Sequence, residues 1–291
     1  MPLDPVARVR RFNRAVTLEA GALDTSFLGR GRPLGAARVL NAIGNRRSDV
    51  ADVRAHLELD SGLMSRLLRG LEEEGLIMTA PHPDDARRRV AKLTAAGRHE
   101  FQAYETLSNS RAETLLARHS HPEALLAAMD IVASALGRGR IAIEEMDPRG
   151  DDARYCLGEY YAELARRFES GFDVSLSRNP EADDMIRPRG AFVVAMSDGL
   201  PIGCVGLERT GGEIAEVKRL WVAPSARGLG VGRRLMDAAE NAARQLSIKT
   251  LRLDTNRALG EALQLYRSTG WREIDRFNDD PYPDFFFEKH L

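Results

Sequence analysis

A mainly α domain followed by an α/β (α+β) domain is predicted for this chain of 291 residues, on three observations. Up to about residue 136 apolar residues recur at helical spacing, with one strand-like interruption at about 76–93. Beyond "ALGRGR" (135–140) short β-like runs appear, "AFVVAM", "PIGCVGLE", "EVKRLWVA", "TLRLDT" and "DFFFEKH", alternating with helical patterns. Glycines at 137 and 139 stop one helix just before a strand starting at Ile141. The expected domains are therefore 1–138 and 139–291.

Composition narrows the function classes. Hydrophobic residues make up 43% and charged ones 29%, as in a soluble globular protein. No apolar run approaches the roughly 20 residues of a membrane span. The start, "MPLDPVARVRRFNR", lacks the apolar core of a signal peptide. Cys156 and Cys204 are the two cysteines, which predicts a cytoplasmic protein without a disulfide framework, both thiols serving as small buried hydrophobes. The six histidines are scattered, so no metal is expected. Residues 1–140 hold 21 basic against 17 acidic side chains and residues 141–291 hold 21 against 26. That asymmetry suits a nucleic-acid contact confined to the front and no membrane partner.

Taken in order, the front half opens with a helix over about 5–20. The glycine-rich "LGRGRPLG" (28–35) has no strand before it and is read as a turn. Ser48 is positioned to cap a short helix through "DVADVRAHL", and Asp60 to cap "SGLMSRLLRGLEEEG", which stops at Gly75. In that second helix Leu63, Leu67, Leu68 and Leu71 share one face, while Ser61, Ser65, Arg66 and Arg69 occupy the other. Short polar and arginine side chains on a helix docked by its apolar side suit the major groove of DNA. A hairpin follows, "GLIMTAP", "HPDDARRR", "VAKLT", and its tip carries Arg87, Arg88 and Arg89. Three adjacent arginines repel one another, so a nearby anion is expected and no folding role is assigned to them.

In these residues, "SGLMSRLLRGLEEEGLI" and "DDARRRVAKLT", with Asp85, Arg87, Leu93 and Thr94 at the matching wing positions, the front half resembles the MarR family of winged helix-turn-helix regulators. The resemblance implies binding to double-stranded DNA, with the wing arginines in the minor groove. It also implies a homodimer built from the first helix and the last two (about 94–136).

In the back half, "PSARGLGVGRRLMDAAENAA" (224–243) places a glycine-rich turn between an alternating strand and a helix whose Leu235, Ala239, Ala242 and Leu246 share a face. Such a junction presents free N–H groups and a helix dipole to an anion. Gly232 is followed by Arg233 and Arg234 rather than Lys-Ser/Thr, which excludes a nucleotide P-loop. The third glycine falls one position early for a dinucleotide fold.

Arg227-Gly228-Leu229-Gly230-Val231-Gly232 looks like the acetyl-coenzyme A pyrophosphate loop of the GNAT N-acetyltransferases. A second signature follows in "LRLDTNRALGEALQLYRSTGWREI" (251–274), with Asn256, Ala262, Tyr266, Gly270 and Trp271 in place, and "AFVVAMSDGLPIGCVGLE" matches the family's central hairpin. The resemblance implies a mixed central sheet and acetyl-CoA as cofactor. It assigns Leu220, Trp221, Val222, residues 227–233 with Arg227 and Arg233 on the pyrophosphate, and Asn256 to the cofactor. It further implies Tyr266 as general acid and Glu216, or a water chain, as base. Glu216 is equally readable as a salt-bridged carboxylate beside Lys218. A small amine acceptor is expected between Tyr161 and Phe172 on one wall and Asp279 and Tyr282 on the other. Protein lysine acetylation near DNA and a non-catalytic acetyl-CoA sensor are the alternatives.

Overall fold

The computed structural model describes residues 4–45, 47–169, 171–176 and 182–291. They fall into two compact units, Met1–Pro122 and Glu123–Leu291. The helix Pro122–Leu136 is thus grouped with the second unit, whereas the sequence assigns it to the first domain.

The first unit contains α1 (Pro5–Glu19), α2 (Leu34–Gly44), α3 (Val50–His56), α4 (Ser61–Glu73), the antiparallel hairpin β1 (Ile77–His82) and β2 (Asp85–Leu93), and α5 (Ala95–Ala117). Its core gathers Val39, Leu40, Val53, Met64, Leu68 and Leu71. In α4 the buried stripe includes Met64, while Leu63 and Leu67 are only half-buried; Ser61, Ser65, Arg66 and Arg69 are exposed. Asp60 caps α4 through the Leu63 N–H at 2.8 Å. The cap of α3 is Asp49 rather than Ser48, accepting from the N–H groups of Ala51 and Asp52.

The wing differs from expectation in one respect. Arg88 reaches back to the buried Asp49, 2.7 Å away, so this arginine ties the hairpin to the cap of α3. Arg89 bonds to Thr79 on the neighbouring strand, leaving Arg87 the most exposed of the three at 93%.

The loop at 28–35 also has a folding role. Arg30 and Arg32 both bind Glu100, buried on α5, at 2.5 and 2.8 Å. Hydrogen bonding to Arg30 holds the Glu100 carboxyl below its ordinary value against the opposing effect of burial, with both positive charges assisting.

The second unit begins with α6 (Pro122–Leu136), followed by β3 (Ala142–Glu145), α7 (Asp151–Arg167), β4 (Gly190–Ser197), β5 (Leu200–Gly211), β6 (Ile214–Val222), α8 (Val231–Gln245), β7 (Thr250–Thr255), α9 (Gly260–Ser268), β8 (Arg272–Ile274) and β9 (Phe285–His290). The seven strands run in the order β3-β4-β5-β6-β7-β9-β8, antiparallel except for β6 with β7. This is the expected mixed sheet, with β8 added where no strand is read from the sequence. Asp198 and Gly199, both at positive φ, turn β4 into β5. One face packs against α8 and α9 through Val217, Leu235, Met236, Leu251 and Tyr266. The other packs against α7 through Cys156, Leu157, Phe192, Cys204 and Trp221.

Replacing Glu100 by alanine leaves Arg30 and Arg32 without their shared partner and is expected to destabilise the first unit by about 2–3 kcal/mol, Arg30 being partly solvated. Because the carboxyl is depressed in the folded state, its contribution is present above the unfolded value of about 4.3 and lost as pH falls through the folded one. Denaturant titration should show a wild-type advantage over Glu100→Ala at neutral pH that shrinks in acid. An advantage independent of pH would refute the charge pairing.

Candidate active site

The site is organised by a parting of strands. β6 and β7 pair at Ile214↔Thr250, Ala215↔Leu251 and Glu216↔Arg252 and then separate. On its other edge β6 carries a bulge between the pairs Gly206↔Lys218 and Cys204↔Trp221, with Arg219 at φ 57. The Ala223 N–H bonds to the Ile202 carbonyl across β5. Strand alternation therefore turns the Val222 N–H to the opposite edge, which β7 has left open.

A cleft of about 650 Å³ lies beside this wedge, bordered by Leu220, Trp221 and Val222, by α7 and α9, and by the loop leading to α8. Gly228 and Gly230 stand at φ 76 and 82, a region in which a side chain strains the backbone. Gly230 is the N-cap of α8 and supplies no side-chain acceptor, so first-turn N–H groups lack a capping partner where Val231, Gly232 and Arg233 line the cleft. Oriented donors and a helix dipole make this end of the cleft an anion seat. Leu229 packs on the core beneath the loop.

The two loop arginines behave differently. Arg233 is exposed and lines the cleft. Arg227, expected on the pyrophosphate, is already engaged: it sits 2.5 Å from Glu163 and donates to the Val222 carbonyl at 3.0 Å. Glu163 of α7 is buried and also accepts from the Trp221 indole at 3.1 Å and from Arg167 at 2.9 Å, while Arg167 bridges to Glu261 of α9 at 2.8 Å. No sequence signal marked this network, because its members lie on α7, β6, α9 and the loop before α8.

A second cavity of about 80 Å³ opens between the parted strands. Tyr160, Leu164, Leu220, Leu259 and Ala262 border both cavities, so the two adjoin. Tyr266 borders the small one; its ring packs on Trp271 and Phe287, and no described residue hydrogen-bonds its hydroxyl. Burial pushes this hydroxyl well above its ordinary value, with the Asp254 charge adding to it. Burial does the same to Tyr160. Both phenols therefore remain protonated.

The other expected residues are distributed unequally. Asn256 lines the small cavity rather than the large one, and its amide is committed locally, donating to the Tyr282 carbonyl at 2.7 Å and accepting from the Ala258 N–H at 2.8 Å. Phe172 and Tyr282 line the small cavity with ring centroids 4.8 Å apart. Tyr161 stacks behind Phe172 at 5.9 Å and accepts from Arg219 at 2.8 Å. Asp279 is exposed and borders neither cavity; its neighbour Asp280 lines the small one. Glu216 is buried, borders neither cavity and lies 2.8 Å from Lys218, the salt-bridged alternative. Asp254, absent from the sequence expectations, lines the small cavity, and its signal was an acidic residue near the carboxyl end of a central strand.

Chemically, an anion seat at the end of a long cleft, an open strand edge and a buried phenol in a small adjoining cavity suit transfer of a group from a long anionic carrier to a small acceptor.

Comparison with known proteins agrees with this arrangement. The family model for an acetyltransferase (GNAT) domain matches residues 188–273, and that for the MarR family matches residues 30–88. The IAA acetyltransferase of Azospirillum brasilense is 36% identical over 113 residues, which cover 37% of this chain and 72% of that protein. An uncharacterized N-acetyltransferase of Escherichia coli, YjgM, is 30% identical over 121 residues, or 39% and 71% of the two chains. Among solved structures, an acetyltransferase of the GNAT family from Staphylococcus aureus aligns over 52% of this chain and 99% of its own, at 21% identity and a TM-score of 0.46. Among the described residues, no helix is long and apolar enough to cross a membrane.

Gly230→Ala would force a side chain into the left-handed region at the start of α8. It is expected to cost about 1 kcal/mol. That corresponds to a drop of about 3 °C in the melting temperature of the second unit. An unchanged melting temperature would show that the loop does not depend on this backbone geometry.

Proposed function

From a chain that belongs to the GNAT acetyltransferase family and carries a MarR-family domain ahead of that fold, we propose a bifunctional protein: a transcription regulator that is also an acetyl-CoA-dependent N-acetyltransferase. Its acceptor is a small amine or amino-acid-like compound. The observation that carries the enzymatic reading is the junction of the two cavities at the parted strands, with the anion seat at one end and Tyr266 at the other.

In this reading the pyrophosphate rests on the N–H groups at the start of α8 and on Arg233. The pantetheine arm follows the free edge of Leu220–Val222, and the thioester oxygen accepts from the Val222 N–H, where negative charge develops. Arg227 holds the Val222 carbonyl and Glu163, which positions that strand end. Tyr266 donates its proton to the departing thiolate while the new amide nitrogen refills it, so the charge does not settle on the phenol. The volume of about 80 Å³ admits an amine head and its first carbons.

The front domain binds double-stranded DNA through Ser61, Ser65, Arg66 and Arg69, with Arg87 at the wing tip. Exposure of these side chains supports the assignment. A homodimer through the flanking helices is supported by Val6, Val9, Phe12 and Val16 on α1, a helix without a buried residue. Two free, buried thiols fit a cytoplasmic location. Fusion keeps regulator and enzyme at high effective concentration, so the acceptor or its acetyl product tunes DNA binding.

A thiol-release assay with acetyl-CoA and a panel of amines should show turnover. Tyr266→Phe should lower kcat by about 100-fold or more at unchanged acetyl-CoA affinity; full turnover in this variant removes the acid role. Arg87→Ala should weaken DNA binding and reduce the slope of log affinity against log salt by about 1. An unaltered slope would mean the wing tip makes no phosphate contact.

A further inference from the structure

A base must take a proton from the acceptor ammonium before its nitrogen can attack, and Glu216 borders neither cavity and is held by Lys218. Another carboxylate is better placed. Asp254 lies two residues beyond the last parallel pair, Glu216↔Arg252, where the parting of β6 and β7 opens the sheet into the small cavity. Its Oδ2 accepts from Asn278 at 2.7 Å, which fixes the side chain, while no described residue hydrogen-bonds Oδ1. Tyr266, 5% exposed and with no described residue hydrogen-bonded to its hydroxyl, lines the same cavity. So does Tyr160, whose hydroxyl feels the Asp254 charge.

Charged and titratable groups act on Asp254 or feel its charge from several elements, while β9 brings Phe286 opposite it. These groups are Lys218 and Glu216 of β6, Asp280 of the loop before β9, Tyr266 of α9 and Tyr160 of α7. Burial pushes its carboxyl up; Lys218 and Asn278 pull it back, and Asp280 and Glu216 push it further, leaving a net rise. A carboxylate of raised affinity for protons is a better base toward an ammonium.

The rest of the cavity points to the acceptor. Phe168, Phe172 and Tyr282 form an aromatic wall with centroids 4.8 to 5.8 Å apart, whose faces attract a cation. The volume of about 80 Å³ is several times what one water needs and admits an amine head and its first carbons.

We propose that Asp254 deprotonates the acceptor, and that the acceptor is a primary ammonium on an unbranched carbon, seated between Asp254 and the Phe172–Tyr282 wall. This rests on the acetyl-transfer reading above. Asp254 takes one ammonium proton, and the freed nitrogen lone pair forms the C–N bond to the thioester carbon. The C–S bond breaks with its electron pair on sulfur, which receives the Tyr266 proton. The tyrosine recovers a second proton from the nitrogen, and Asp254 gives the first to water. The products are the acetamide, free thiol and one released proton.

Steady-state kinetics across pH with primary alkylamines, together with acetyl-CoA affinity by calorimetry, test this in the full chain. Wild type should show kcat/KM falling in acid, with a midpoint above the ordinary carboxylate value of about 4. Asp254→Asn should lower kcat by about 100-fold or more and abolish that acid limb, with acetyl-CoA affinity at the wild-type level. Asp254→Glu, which keeps the charge, should retain the limb at a displaced midpoint with intermediate kcat. If Asp254→Asn keeps the limb and only KM rises, or if Asp254→Glu matches Asp254→Asn, the base assignment is overturned. Turnover of branched or secondary amines as fast as of unbranched primary ones overturns the acceptor class. Wild type that binds acetyl-CoA but releases no thiol with any amine overturns the acetyl-transfer reading itself, and Asp254 with it.

Discussion

Two parallel strands that pair over three residues and then part set the conditions for everything else in the second unit. A sheet interior normally satisfies its backbone on both edges. Here β6 satisfies one edge against β5 and leaves the other without a strand partner beyond Glu216, where Arg227 takes the Val222 carbonyl. The bulge at Arg219, with φ 57, bends the strand at the point of separation. Backbone donors thus stand open beside a cleft whose far end is the uncapped start of α8. A ligand that bridges the two replaces the missing strand and the missing cap together.

Polar groups near this opening are held by pairing. Glu163 gathers Arg227, Arg167 and Trp221, so a carboxylate on α7, the end of β6 and the glycine loop form one hydrogen-bonded frame. Removing the carboxylate would leave buried donors without partners, which costs more than the network contributes. The first unit uses the same device with a different purpose. Glu100 collects Arg30 and Arg32 and ties a glycine-rich loop to α5. Glycine and arginine together therefore mark an anion seat in one place and a structural clamp in the other. What separates them is that Arg30 and Arg32 both meet a carboxylate of the chain, whereas in the second loop only Arg227 does and Arg233 stays exposed at the cleft.

Much of the fold was readable in order along the chain. The strands from "AFVVAM" to "DFFFEKH" stand out as short β-like runs between helical patterns, and Asp60 and Gly75 bound α4 with ordinary capping chemistry. The exposed face of α4 was readable because exposure of Ser61, Ser65, Arg66 and Arg69 follows from helical spacing alone. Less readable were partners distant in sequence. Arg88 looked unoccupied because Asp49 lies 39 positions away, and Arg227 looked available because Glu163 lies 64 positions away. Asp279 was expected on the acceptor wall, but the loop's path places its neighbour Asp280 beside the cavity instead.

By itself the sequence determined the two domain types, the glycine loop between strand and helix, and the tyrosine downstream of it, since each is expressed within a few residues by spacing and backbone preference. Tertiary structure decided which charges are already paired, that Glu216 answers to Lys218, and that Asp254 faces the small cavity. The reason is physical. Periodicity fixes which way a side chain points on its own element, but the charge it meets there comes from another element, brought near only when the strands are laid side by side and then allowed to part.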